Sequence, residues 1–245
     1  MLHLSNMKAK VFVLLFSILS WASAQAIGSY KAGDKLTVLA KSGLSLRANP
    51  GSQGKKKSSL PFGTIVTVLA EGLNVTKHEV EEFKGYFIKG HWVKVKVGKE
   101  EGWVFDGYLS HLKVIPESQE AKGVSADRDM FDALYSQTSP RKGDRVDVKQ
   151  ENGEAYNQAY EDGSKLTVQR FEGGSKRLMA FKKGISQEEA YLWGKAVWFN
   201  DGKIASQKFN GKTKHIRING TDDNPRALRV IPNGDHWEAH FELAD

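Results

Sequence analysis

The chain has no cysteine. That excludes disulfides, thiol nucleophiles, thiolate metal sites and a lipid-modified cysteine together. An exported chain of this kind has to rely on its apolar core. Beyond the first 24 residues no run is apolar enough to cross a bilayer. There is no Gly-x-Ser-x-Gly elbow, no glycine-rich phosphate loop and no Ser-His-Asp signature. No internal repeat and no low-complexity segment is visible. With 245 residues, the chain is long enough for two packed domains.

What is present begins with an export pattern over residues 1–24. Lys8 and Lys10 supply a positive start, residues 11–21 an apolar run, and Ala22-Ser23-Ala24 small residues before a cut. Gln25 is then the expected first residue of a periplasmic or secreted protein. The net charge is +7, and losing Lys8 and Lys10 leaves 7 − 2 = +5. Outside the cytoplasm, a basic surface meets anionic glycans, lipid headgroups or cell-wall polymer rather than nucleic acid. No membrane insertion is expected after cleavage.

Short alternating strands follow at close spacing. Leu36-Thr37-Val38-Leu39 is one, and Leu44-Ser45-Leu46-Arg47 is a second, stopped by Asn49-Pro50-Gly51. Residues 64–69 form a third after Phe62-Gly63, and residues 92–97 a fourth. Trp103-Val104-Phe105 is the last, closed by Gly107-Tyr108-Leu109. Lys55-Lys56-Lys57 reads as a solvated loop, and residues 71–91 as an elaborated hairpin. Five such strands predict a small β-barrel.

These residues, Gly43 to Pro50, Leu60 to Val68, Trp92 to Val95 and Gly102 to Leu109, resemble the bacterial SH3-like domain, over about residues 28–114. The resemblance implies a binding module, often for peptidoglycan peptides, with a shallow groove of aromatic and polar side chains. It makes Arg47, Asn49, Trp92, Trp103, Asp106 and Tyr108 the candidate ligand contacts. Arg47 could instead buttress a loop, and Tyr108 could plug the barrel end. The valines of Trp92-Val93-Lys94-Val95-Lys96-Val97 share one face. Trp92 is therefore expected on the wet face beside Lys94 and Lys96. The cysteine peptidases and L,D-transpeptidases that accompany this module elsewhere each need a cysteine.

Residues 115–126 lack an apolar period and read as a linker with few contacts across it. A short helix over residues 127–135, with Met130, Phe131 and Leu134 on one face, is ended by Ser139-Pro140. From there to residue 245, six Asn-Gly or Asp-Gly pairs punctuate alternating segments, which predicts tight turns between antiparallel strands. Ser186-Gln187-Glu188-Glu189 is a capping box before a helical stripe of Ala190, Trp193, Gly194, Val197 and Trp198. The fold class is mainly β: an SH3-like small barrel followed by an antiparallel α+β meander with one packed helix.

His236, Glu238 and His240 alternate on the last strand and point the same way. That spacing can hold a metal, and an exposed face opposite Trp237, Ala239, Phe241 and Leu243 accounts for it equally. The expected function is non-catalytic binding at the cell envelope, with a cell-wall peptide or glycan or an envelope protein as partner. No cofactor or catalytic residue is expected. The alternatives are a metal-dependent hydrolase with its site on the last strand, and an envelope inhibitor or assembly protein acting through the second domain.

Overall fold

A computed structural model describes residues 30–70, 77–114 and 129–244. The export segment 1–24 and the linker 115–126 lie outside the described residues. The first block is a seven-stranded antiparallel sheet curled into a barrel. Its strands are β1 (Lys35–Val38), β2 (Leu44–Arg47), β3 (Lys56–Leu60), β4 (Ile65–Ala70), β7 (Trp92–Val97), β8 (Glu100–Phe105) and β9 (Leu109–Ser110), in the order β3-β2-β8-β7-β4-β1-β9. The hairpin β5 (His78–Phe83) and β6 (Tyr86–Gly90) stands apart as a two-stranded sheet. Alternation puts Leu36, Val38, Leu46, Val66, Val68, Val93, Val95 and Val104 inside. Each contributes about 1.5–3 kcal/mol by leaving water.

Two expectations change here. Lys56 and Lys57 belong to the edge strand β3, where Lys57 Nζ donates to the Glu101 carbonyl at 2.6 Å and Ser58 Oγ to Glu100 at 3.0 Å. Lysines on an edge strand also discourage pairing with another chain. Trp92 is only 5 % exposed. Its outward face is covered by His78 of the hairpin (ring centroids 5.9 Å), Phe105 (6.3 Å) and the Arg47 guanidinium (5.8 Å).

The second block is one eight-stranded antiparallel sheet, ordered β10-β11-β12-β13-β17-β16-β15-β14. These strands are β10 (Val146–Asp147), β11 (Glu154–Ala159), β12 (Lys165–Phe171), β13 (Gly174–Ala180), β14 (Ile204–Asn210), β15 (His215–Gly220), β16 (Arg226–Asn233) and β17 (His236–Ala244). The order is symmetric about the β13·β17 pair. Each half is a four-stranded meander preceded by a helix, α1 (Met130–Thr138) or α2 (Gln187–Trp198). This repeat of topology left no trace in the residues, because the two halves share a strand count and not a motif.

Helix α2 begins at the expected capping box: Glu189 N–H donates to Ser186 Oγ and Ser186 N–H to Glu189 Oε2, both at 3.1 Å. Helix α1 is capped by Asp129, and its Met130 is exposed while Phe131, Leu134 and Tyr135 are buried. There are thus two packed helices, not one. Both lie on the same sheet face, since Phe131 meets Trp193 and Trp198 of α2 and Phe241 of β17. The expectation of turns between strands fails at Asp201-Gly202, which joins α2 to β14, and at Asn219-Gly220, which ends β15. A Cβ at Gly220 would lie 2.3 Å from the Asn224 carbonyl, so the glycine serves a close approach of the next loop.

The blocks are not separate bodies. Helix α2 is sandwiched between its own sheet and the barrel. Ser110 Oγ donates to Glu189 Oε1 at 2.8 Å, Trp193 Nε1 to the Lys113 carbonyl at 3.0 Å, and Lys113 N–H to Thr138 Oγ1 at 2.9 Å. Tyr86 of the hairpin packs on Tyr191 and Phe209, with centroids 5.3 and 5.0 Å away. The buried side chains of both blocks form one continuous cluster. The expectation of few contacts between the blocks is therefore overturned. A shared core unfolds as a unit, so scanning calorimetry of the chain should give a single endotherm. Two resolved endotherms would contradict the shared core.

Candidate functional site

The six sequence candidates fall into three places. Asp106, in the short 3-10 turn Asp106–Tyr108, is 2 % exposed. Its Oδ2 accepts from Tyr30 Oη at 2.6 Å and its Oδ1 from the His91 N–H at 2.7 Å. A Cβ at Gly90 would sit 2.3 Å from Oδ1, so the missing side chain there makes room for the carboxylate. Asp106 pins the start of the barrel to the β6–β7 turn and is closed to ligand. Burial pushes its carboxyl above the ordinary aspartate value, against hydrogen bonds from Tyr30 and His91 that favour the charged form.

Tyr108 is half-buried and donates to Glu82 Oε2 at 2.8 Å. It stands at the joint between the blocks, where the Lys195 ammonium also meets Glu82, at 2.7 Å. Burial, then the nearby Glu82 carboxylate, pushes the Tyr108 hydroxyl up. Neither Asp106 nor Tyr108 joins a groove.

Arg47, Trp103 and Trp92 do come together, on the outer face of the barrel. Arg47 on β2 pairs with Trp103 on β8, which pairs with Lys94 on β7. Side chains opposite one another on a ladder share a face, so the half-buried Trp103 shares its face with Arg47 on one side and Lys94 on the other. Trp92 and Phe105 form the neighbouring row and floor this strip. Arg47 Nη1 donates to the Gly54 carbonyl at 2.7 Å, which ties the strip to the loop bearing the exposed Asn49. Lys94 also meets Glu101, at 3.3 Å. Lys94 was not among the candidates. Its alternation with Trp92 was readable, but its pairing with Trp103 needed the strand order. His78 was missed because it lies in the hairpin insertion.

On the last strand, Glu238 accepts from Asn233 Nδ2 at 2.6 Å and lies 2.9 Å from His240 Nε2, with His236 Nε2 at 3.8 Å. Burial opposes ionisation of Glu238, and these partners outweigh it and lower its pKa. Among the described residues no three His, Asp or Glu side chains are grouped to hold a metal. No helix among them is long and apolar enough to cross a membrane.

Residues 42–110 match the family model of the bacterial SH3 domain. That segment contains the whole Arg47–Trp103–Lys94 strip, and it is joined to the eight-stranded sheet. No curated protein and no solved structure matches the chain.

Because the Asp106 value is raised in the folded state, its charge subtracts stability above that value. The subtraction is relieved as pH falls through it and is fully gone below the ordinary value of about 3.9. Asp106→Asn abolishes this titration. Urea unfolding should show the parent gaining stability relative to Asp106→Asn between pH 7 and roughly pH 4. A constant difference would show that the hydrogen bonds balance burial, and a trend of opposite sign that they outweigh it.

Proposed function

We propose that this protein is an exported, non-catalytic binding protein of the bacterial cell envelope. Its SH3 module would contact a peptide, cell-wall or protein ligand through the Arg47–Trp103–Lys94 strip and the Asn49 loop. The observation that carries this reading is Trp103: a half-buried indole whose partners on the two neighbouring strands are Arg47 and Lys94, within the segment that matches the bacterial SH3 domain. An indole offers a stiff apolar plane to a sugar or peptide, and the cations select acidic groups beside it. The pattern of Lys8, Lys10, residues 11–21 and Ala22-Ser23-Ala24 supports export. Glu238 is engaged by Asn233 and His240, which supports reading the last strand as structural and weighs against the hydrolase alternative.

Trp92 and Trp103 separate binding from packing. Trp103→Ala should weaken co-sedimentation of the mature protein with peptidoglycan by about 1–3 kcal/mol in affinity while the melting curve stays cooperative. Trp92→Ala should instead cost about 3–5 kcal/mol of stability, because it empties the floor of the strip. Unchanged binding by Trp103→Ala would remove the strip from consideration.

A further inference from the structure

The sheet of the second block buries one face under α1 and α2. On the other face, none of the residues presented by β12 to β17 with a described side chain is buried. Register places Lys208, Arg217, Arg229 and His240 in one row across β14, β15, β16 and β17. Lys165 and Lys176 lie on the same face of β12 and β13. Of these cations, Arg229 is paired, with Glu242 at 2.5 Å. Arg217 Nε donates only to the neutral Asn219, at 2.8 Å. Lys165, Lys176, Lys208 and Arg217 have no carboxylate partner among the described residues. The two carboxylates of this face, Glu238 and Glu242, are already engaged.

Two residues further along the strands, the same face opens into a cavity of about 510 Å³. Phe171, Lys176, Asn219, Asp222 and Glu242 line it. Phe171 is 38 % exposed there, with the Lys176 ammonium 5.9 Å from its ring centroid. The volume is that of a small-ligand site. An aromatic plane beside an amide, an ammonium and carboxylates suits a sugar ring: its apolar face stacks, and its hydroxyls donate to and accept from the polar groups. The cationic row begins about 7 Å away, two residues along each strand, on strands about 4.8 Å apart.

The geometry points to a second binding site, on the open sheet face, for an anionic glycan. One sugar ring occupies the cavity against Phe171, and the acidic groups of the chain follow Arg217 and Lys208. A flat acidic protein would meet the same charges without using the cavity, which is why the glycan is favoured. The site shares no residue with the barrel strip, so either can fail without the other.

The test uses the full mature chain and soluble, peptide-free probes: polygalacturonate for carboxylates, a phosphomannan for phosphates, dextran as the uncharged control and polyglutamate as the acidic peptide. Calorimetric titration should show binding to polygalacturonate or phosphomannan, or both, and none to dextran. Phe171→Ala and the pair Lys208→Ala with Arg217→Ala should each weaken it roughly tenfold, with melting unchanged because all three side chains are exposed. Phe171→Leu, which keeps apolar bulk without the ring, should weaken it as well. No binding to either anionic glycan would overturn the proposal. So would glycan binding indifferent to Phe171, or polyglutamate binding as tightly with the same dependence on Phe171.

Discussion

The carboxylate of Glu82 is the contact on which the arrangement of the two blocks turns. It sits on the hairpin insertion, accepts from Tyr108 of the barrel at 2.8 Å and meets Lys195 of α2 at 2.7 Å, with the Tyr191 hydroxyl 3.3 Å away. It thus takes one donor from the barrel and the Lys195 ammonium from α2, while the single Tyr191 hydroxyl proton lies closer to Gln207 Oε1, at 3.0 Å. Side-chain exposures of 13 % for Glu82 and 23 % for Lys195 place the pair in partial shelter. An ion pair there is worth more than one in open water and is costly to break from one side only. Phe83 and Tyr86 flank it, stacked on each other at 5.1 Å and both against Tyr191.

That joint decides which barrel surfaces are left for ligand. The hairpin turns its buried side, Tyr86 and Ile88, inward and lays His78 over Trp92. Tyr108 is spent on the joint and Asp106 on holding Tyr30 to the β6–β7 turn. What remains open is Trp103 with Arg47 and Lys94. On the far side of α2 the sheet is left with one bare face. The two candidate surfaces therefore share no residue with each other or with the joint.

Much of the barrel was legible, because its core alternates with period two and its turns carry glycine. Leu36, Val93, Val95 and Val104 needed only that rule. Trp92 was misread because period two tells which way a side chain points and not what lies over it, and its cover, His78, comes from an insertion with its own alternation. Asp106 was misread for a similar reason: Tyr30 and His91 are distant or on a neighbouring turn, and only the fold closes them on the carboxylate. In the second block the capping box of α2 was plain in Ser186 and Glu189. The row of Lys208, Arg217 and Arg229 was invisible, since strands β14, β15 and β16 had to be laid side by side first.

The central claim is that Glu82 couples the barrel to α2. A double-mutant cycle of Glu82→Gln and Lys195→Met, followed by denaturant unfolding, measures it most directly. The account predicts a coupling energy of about 0.5–3 kcal/mol between the two positions. Additive losses within about 0.3 kcal/mol would contradict it, and would mean that the two blocks are held together by aromatic packing alone.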